Sequence, residues 1–246
     1  MLDPQTLPQC AADALARLRE RRPRIHCLMN TVVQKLVADG VTALGTIPSM
    51  TSSVEEIGEF AQRAEALLVN LGTLDADRRA ANLIAVETMK ARGKPWVLDP
   101  VKCDFSAVRM DFARTMAVQK PTVIRGNHGE IQALGDVGHS LVVETGKADR
   151  IHGNGRNMMI ANGHPWMALA TGTGCMSGGA IAAFLTVEAD PAVAAASAML
   201  VVGVAAEIAA AESRGPGTFE PALLDALANM DEADIVSRAR IGYAED

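Results

Sequence analysis

The run Ala170-Thr171-Gly172-Thr173-Gly174-Cys175 sits directly before Met176-Ser177-Gly178-Gly179-Ala180-Ile181-Ala182-Ala183-Phe184-Leu185, an apolar stretch that reads as a buried helix. A glycine-rich turn opening a helix presents amide groups without intrahelical acceptors and the positive end of the helix dipole. That combination suits a phosphate or another anion. The reactive side chain there is Cys175, whose pKa a helix N-terminus would lower. A tight loop with a buried, inert cysteine is the plainer reading of the same residues.

Other residues with chemistry to offer recur where apolar runs end. Arg125 lies at Arg125-Gly126-Asn127, where a guanidinium could hold phosphate oxygens in bidentate fashion. Asp99 and Glu130 are carboxylates after neighbouring strand-like runs and could organise Mg²⁺ and its waters. Their ordinary roles would be helix capping and loop hydrogen bonding, and Arg125 alone would make a surface ion pair. Taken together, an anion hole, an arginine and two carboxylates fit phosphoryl transfer, which depends on positioning and electrostatics. No Gly-x-x-x-x-Gly-Lys-Ser/Thr loop occurs, and the His-Arg-Asp and Asp-Phe-Gly pair of protein kinases is missing. No Gly-x-Gly-x-x-Gly follows the first strand, which weakens a dinucleotide-binding dehydrogenase. A Cys–His hydrolase pair formed only in three dimensions stays open at this point.

The elements that must position these groups follow from apolar periodicity. Candidate strands are Ile25–Met29, Ala66–Leu71, Trp96–Leu98, Thr122–Ile124 and Leu141–Glu144. Between them lie candidate helices at Val32–Ala43, Val54–Arg63, Asp75–Ala91, Val108–Met116 and a short one near Gly129–Leu134. Near-continuous apolar strands separated by amphipathic helices indicate a parallel sheet covered on both faces. After Ile160 the pattern turns helical, with Cys175–Val187, Pro191–Ala211 and Pro221–Asn229. Ligands of such folds sit beyond the carboxyl ends of the strands. Asn30, Gly72-Thr73, Asp99-Pro100, Arg125-Gly126-Asn127 and Thr145-Gly146 fall at that edge, and five polar strand ends together favour a site.

Composition narrows the function classes. A chain of 246 residues, 49% hydrophobic and 21% charged, has the length and make-up for a sizeable core. A net charge of −6, a pI near 5.4 and 3% aromatic residues argue against a nucleic-acid surface. Cysteines at 10, 27, 103 and 175 form no Cys-x-x-Cys pair and read as reduced thiols. The first residues, Met1-Leu2-Asp3-Pro4-Gln5, lack a signal-peptide pattern. The apolar stretch Pro191–Ala206 falls short of the roughly 20 residues of a membrane span, so the expected location is cytoplasmic.

Several ordered segments resemble one family. Met29-Asn30-Thr31-Val32-Val33, Ala38-Asp39-Gly40 and Ala43-Leu44-Gly45-Thr46-Ile47-Pro48-Ser49-Met50 are similar to the N-terminal signature of hydroxyethylthiazole kinases. So are Leu68-Val69-Asn70-Leu71-Gly72-Thr73-Leu74, Val97-Leu98-Asp99-Pro100-Val101, Val123-Ile124-Arg125-Gly126-Asn127-x-x-Glu130, the run ending in Cys175, and Gly215-Pro216-Gly217-Thr218-Phe219. The segments keep the family's order from about residue 25 to 229. The resemblance implies an α/β, single-domain ribokinase-like layered fold over 1–246, with a largely parallel central sheet flanked by helices. Residues 1–24 would form an N-terminal helix and lead-in, and 230–246 a C-terminal tail.

By the same resemblance the chain is an ATP- and Mg²⁺-dependent kinase for the alcohol of 4-methyl-5-(2-hydroxyethyl)thiazole, in thiamine biosynthesis or salvage. Asn30, Val32, Met50 and Gly172 would line the thiazole pocket. Arg125, Thr145 and Asn127 would serve ATP, and Asp99 and Glu130 the metal. Cys175 stands where related ribokinase-like enzymes carry an aspartate base; it would act as that base or position the alcohol. The Gly174 and Cys175 amides would stabilise the transferring phosphoryl group. The implied assembly is a homotrimer with sites between subunits.

Two departures from the pattern stand out. Lys102-Cys103-Asp104-Phe105-Ser106 replaces a glycine-rich segment, and only Gly135–Ser140 links Glu130–Leu134 to Leu141 where the family has a longer loop and helix. The fold is therefore expected to be shortened after Leu134, with one sheet face less covered. Both changes lie toward the nucleotide, which leaves two alternatives: a weakly active or inactive thiazole- or nucleotide-binding homologue, and a same-fold kinase of another heterocyclic alcohol.

Overall fold

The computed structural model describes residues 3–138, 140–153 and 155–243. The outermost residues of the expected 1–246 domain, Met1-Leu2 among them, lie outside the described residues. Helix α1 (Leu7–Arg21) leads into β1 (Arg24–Leu28), α2 (Gln34–Ala43), β2 (Ile47–Ser49), α3 (Ile57–Arg63) and β3 (Ala66–Asn70). Then come α4 (Ala76–Ala91), β4 (Trp96–Asp99), α5 (Ala107–Ala117), β5 (Val123–Asn127), α6 (His128–Leu134) and β6 (Leu141–Thr145). Strands β7 (Asp149–Gly153) and β8 (Arg156–Ile160) precede α7 (Thr173–Phe184), α8 (Pro191–Glu212), α9 (Pro216–Asn229), α10 (Glu232–Arg238) and β9 (Ile241–Gly242).

The strands form one sheet in the order β2-β1-β3-β4-β5-β6-β7-β8-β9. Its first six strands are parallel, as the alternation of strand and helix dictates, whereas β6 to β9 pair antiparallel. Sequence reasoning missed β2, β7, β8 and β9. The cause is physical: β2 is a three-residue edge strand holding Pro48, and β7 and β8 alternate buried with half-exposed residues instead of running apolar. The C-terminal tail is likewise structured, since it contributes α10 and the last strand.

Two cores flank the sheet. In β3 and β4, Ala66, Leu68 and Val97 enter the core built with α1, α2, α7, α8 and α9, while Leu67, Val69, Trp96 and Leu98 enter the one beneath α3, α4, α5 and α6. This two-residue alternation puts Asn70, Asp99, Arg125 and Thr145 all on the α7 side of the sheet. Strand pairing then sets Asn70 beside Asp99 and Leu98 beside Ile124. Strand β5 runs two residues beyond Arg125, so Arg125 belongs to the ladder rather than to the turn after it.

No helix joins Leu134 to Leu141 among the described residues, as the shortened link required. A cavity of about 540 Å³ opens there, lined by Val118, Leu134 and Val137 among others. Among the described residues, the strands beyond β6 add no side chain to the core under α3–α6, so that face is less covered there. Helix α8 spans 22 residues, longer than the apolar stretch read from sequence, and is long and apolar enough to cross a membrane; most of it is buried inside the fold.

Buried Asn162 ties the C-terminal residues to this frame. Its amide donates to Glu207 Oε1 on α8 (3.0 Å) and to the Arg238 carbonyl (2.8 Å), and its Oδ1 accepts from the Arg240 N–H (2.7 Å). Removing one side of such a buried network leaves the other partners unmatched. We expect Asn162→Ala to lower stability by about 2 kcal/mol in a urea titration.

Candidate active site

The glycine-rich turn does open a helix: Gly172 caps α7 with φ +106°, a backbone shape that glycine adopts freely. The Thr173 amide reaches back to the Ala170 carbonyl (3.4 Å) and the Met176 amide to the Gly172 carbonyl (2.8 Å). Gly174 and Cys175 lie in the first turn between them, where amides have no intrahelical acceptor. A Cβ on Gly174 would lie 2.7 Å from Arg125 Nη2, so the absent side chain lets the guanidinium rest on the first turn of α7.

Arg125 is nearly buried and donates from Nη2 to Thr145 Oγ1 (3.1 Å), whose own hydroxyl donates to the Gly126 carbonyl (3.2 Å). Its Nη1 pairs with Asp99 Oδ2 at 3.6 Å, and that same oxygen accepts from Asn70 Nδ2 (2.9 Å). Asn70 Oδ1 in turn accepts from Asn30 Nδ2 (3.1 Å) and from the Gly72 amide (3.1 Å). Asn30 closes the chain by donating to Cys175 Sγ (3.7 Å), while its Oδ1 accepts from the Val32 (3.1 Å) and Val33 (3.3 Å) amides. Polar side chains from four strands and α7 thus form one connected row. Asn70 was not singled out from sequence as a site residue; its place at the end of an all-apolar strand was the available signal.

Two buried polar atoms of this row have no partner among the described residues: Asp99 Oδ1 and Arg125 Nε. Burial pushes the Asp99 carboxyl up to about 6, with the neighbouring Glu130 charge adding to the rise and Arg125 and the Asn70 hydrogen bond opposing it. Such unmatched donors and acceptors fit a site whose anion and cation arrive with the ligand. Among the described residues no group of three or more His, Cys, Asp or Glu gathers into a protein-only metal cage. Mg²⁺ needs none, since it keeps waters and takes phosphate oxygens. The oxygen donors of Asp99 fit such an ion.

Glu130 does what its ordinary reading foresaw, with Asn127 as its partner. Asn127 Oδ1 accepts from the Glu130 amide (3.0 Å) and Glu130 Oε2 from the Asn127 amide (2.8 Å), a reciprocal cap on α6. Glu130 Oε1 also accepts from the Lys102 amide (2.7 Å). Lys102 therefore presents its backbone N–H from a left-handed conformation, φ 53°, and its ammonium lies 5.5 Å from the centre of the exposed Phe105 ring.

The thiol departs from expectation. Burial pushes Cys175 up to about 12, and the Asp99 charge pushes the same way; Arg125 and the hydrogen bonds from Asn70 and Asn30 pull less strongly downward. The lowered value expected at a helix N-terminus is overturned because the sulfur is shielded from water beside a carboxylate. Met50 is half-buried against the core, and its carbonyl accepts from Gln34 Nε2 (3.1 Å). Val32 stands apart, 72% exposed.

The chain shares this architecture and its sequence with known proteins. The model of the hydroxyethylthiazole kinase family matches residues 15–141 and 136–233. The chain belongs to the hydroxyethylthiazole kinase family. The two matched segments overlap at residues 136–141, in the short link after α6. A probable hydroxyethylthiazole kinase of Agrobacterium fabrum is 56% identical over 96% of both chains, and a hydroxyethylthiazole kinase of Granulibacter bethesdensis 38% identical over 92% of both. The solved hydroxyethylthiazole kinase of Pyrococcus horikoshii superposes with a TM-score of 0.92 at 33% identity, covering 96% of this chain and all of that one. A pyridoxal kinase of Staphylococcus aureus, 14% identical with a TM-score of 0.61 over 74% of this chain and 87% of its own, shares the ribokinase-like fold. Within a kinase family, ATP is the co-substrate.

An acid with a raised pKa stays protonated until the pH nears that value, so Cys175 holds its proton at pH 8. Its thiolate fraction there should be about a thousandfold below that of an ordinary thiol. Iodoacetamide at pH 8, followed by peptide mass mapping, should modify Cys175 about that much more slowly than a free cysteine peptide. Labelling as fast as that of the free peptide would show that the Cys175 pKa is not raised.

Proposed function

We propose that this chain transfers the γ-phosphoryl group of ATP to the alcohol of 4-methyl-5-(2-hydroxyethyl)thiazole, giving the thiazole phosphate used in thiamine biosynthesis or salvage. The observation that carries the reading is the Arg125 guanidinium resting on Gly174 at the opening of α7, with Asp99 and Cys175 beside it. Two positive features placed together want an anion between them. Arg125 and Thr145 hold the phosphate end of ATP, and the Gly174 and Cys175 amides take up charge on the transferring group. Asn127, at the cap of α6, lies on the same nucleotide side.

Asp99 would hold Mg²⁺, with Glu130 acting on its waters; the ion, when bound, neutralises phosphate charge and orients the oxygens. Asn30, Met50 and Gly172 line the thiazole side. Val32 belongs there too, and its exposure in a single chain supports a pocket wall completed by another copy, as in a homotrimer. A protonated Cys175 in contact with Asn30 positions the alcohol, whose proton passes late to an oxygen of the transferred phosphoryl group in a reaction that needs little base assistance. The expected location is the cytoplasm.

A coupled ADP-release assay with Mg²⁺-ATP, comparing hydroxyethylthiazole, hydroxymethylpyrimidine and pyridoxal, tests this directly. Turnover with the thiazole alcohol is expected. Binding of that alcohol without turnover would make the chain a binding homologue, and turnover with another alcohol alone would sink the substrate assignment. Cys175→Ala should lower kcat by about tenfold or more with modest change in thiazole affinity, and unchanged turnover would remove the thiol from the mechanism. Cys175→Asp retaining or raising activity would favour a base at this position.

A further inference from the structure

His26 is fully buried in β1, away from the polar row, and the mechanism above does not use it. It points with Leu28 to the side of the sheet covered by α3, and its ring centre lies 5.8 Å from that of Phe60. Burial pushes the imidazole down to about 4, only partly offset by its hydrogen bond to Thr51 and the charge of Glu56, so the ring is neutral at physiological pH. A neutral imidazole has one donor and one acceptor nitrogen.

Geometry decides which is which. Nε2 lies 2.9 Å from the Thr51 carbonyl, which can only accept, so Nε2 carries the proton. Nδ1 then accepts from the Ser49 hydroxyl at 2.7 Å. A serine this close to a histidine also suggests a nucleophile and its base. Here the second ring nitrogen meets a backbone carbonyl rather than an orienting carboxylate, so the arrangement is a clamp.

The clamp grips the chain on both sides of Met50. Parallel pairing of β1 with β2 covers Arg24↔Ile47, Ile25↔Pro48 and His26↔Ser49 and stops there. Past that point the His26 side chain takes over what the ladder no longer supplies, reaching the Thr51 carbonyl while Gln34 Nε2 holds the Met50 carbonyl between. β1 also leads directly to Asn30, so one strand fixes two edges of the same pocket.

We propose that His26 is a positioning residue for the alcohol substrate, holding Ser49-Met50-Thr51 in register with Asn30 so that Met50 presents a fixed wall to the thiazole ring. The inference rests on the reading that Met50 lines that pocket. His26→Leu removes both hydrogen bonds at similar volume. It should raise KM for the thiazole alcohol about tenfold, with kcat and KM for ATP within about twofold of the parent. His26→Gln, with an amide donor and acceptor, should recover most of the loss. In a Met50→Ala background, His26→Leu should add little, because the two act through one wall.

An unchanged thiazole KM in His26→Leu, an equal loss for both substrates, or full additivity with Met50→Ala would overturn the proposal. If Met50→Ala itself leaves the thiazole KM unchanged, the pocket assignment fails and the inference with it. If Met50→Ala raises KM and His26→Leu does not, the inference alone fails. Should His26→Leu not fold, Ser49→Ala removes one of the two bonds and carries the same test, with an expected rise of about threefold.

Discussion

One buried cation organises the site. Taking a guanidinium out of water costs several kcal/mol, and the fold offsets this for Arg125 with one ion pair at 3.6 Å, one hydroxyl and nothing for Nε. The partner carboxylate is itself uneasy, pushed up to about 6 by burial. Neither group is fully matched by protein, and both are fixed by strand backbone rather than by loops. Under the proposed kinase reading, phosphate oxygens and a cation would supply partners for these two groups, so the unmatched pair would itself favour ligand binding.

The rest of the architecture follows from keeping that pair in place. Period-two alternation sends Asn70, Asp99, Arg125 and Thr145 to one side of four adjacent strands, and parallel pairing puts their carboxyl ends level. Helix α7 packs on that same side, so its opening turn meets the row. The chain of amides from Asn70 through Asn30 to Cys175 then transmits the position of the carboxylate to the thiol.

Much of this was legible in the residues. Apolar runs bounded by polar ends located the five inner parallel strands to within a few residues, and the glycine-rich run marked the opening of α7. Strands β7 to β9 were hidden because half-exposed antiparallel strands lack a continuous apolar signature, and β2 because three residues with a proline carry almost none. At the site, residue types marked the helix-opening turn and the arginine that the fold brings against it. The raised pKa of Cys175 runs against the sequence reading, because sequence shows a helix start but neither the burial of the sulfur nor the carboxylate beside it. The His26 clamp was invisible for a similar reason: its partners are a backbone carbonyl and a hydroxyl 23 residues away.

Strand β9 has a bearing on how the molecule is made. It pairs with Met159 and Ile160 of β8, so among the described residues that stretch of sheet edge is covered by Ile241 and Gly242. On a ribosome the chain emerges from its N-terminus, and both that cover and the helices α7–α9 that bury one face of the sheet are made after β8. An open strand edge invites pairing with other chains. Until the residues after β8 are made, that strand carries an edge with which another chain could pair, and slower synthesis of the α7–α10 segment would prolong its exposure.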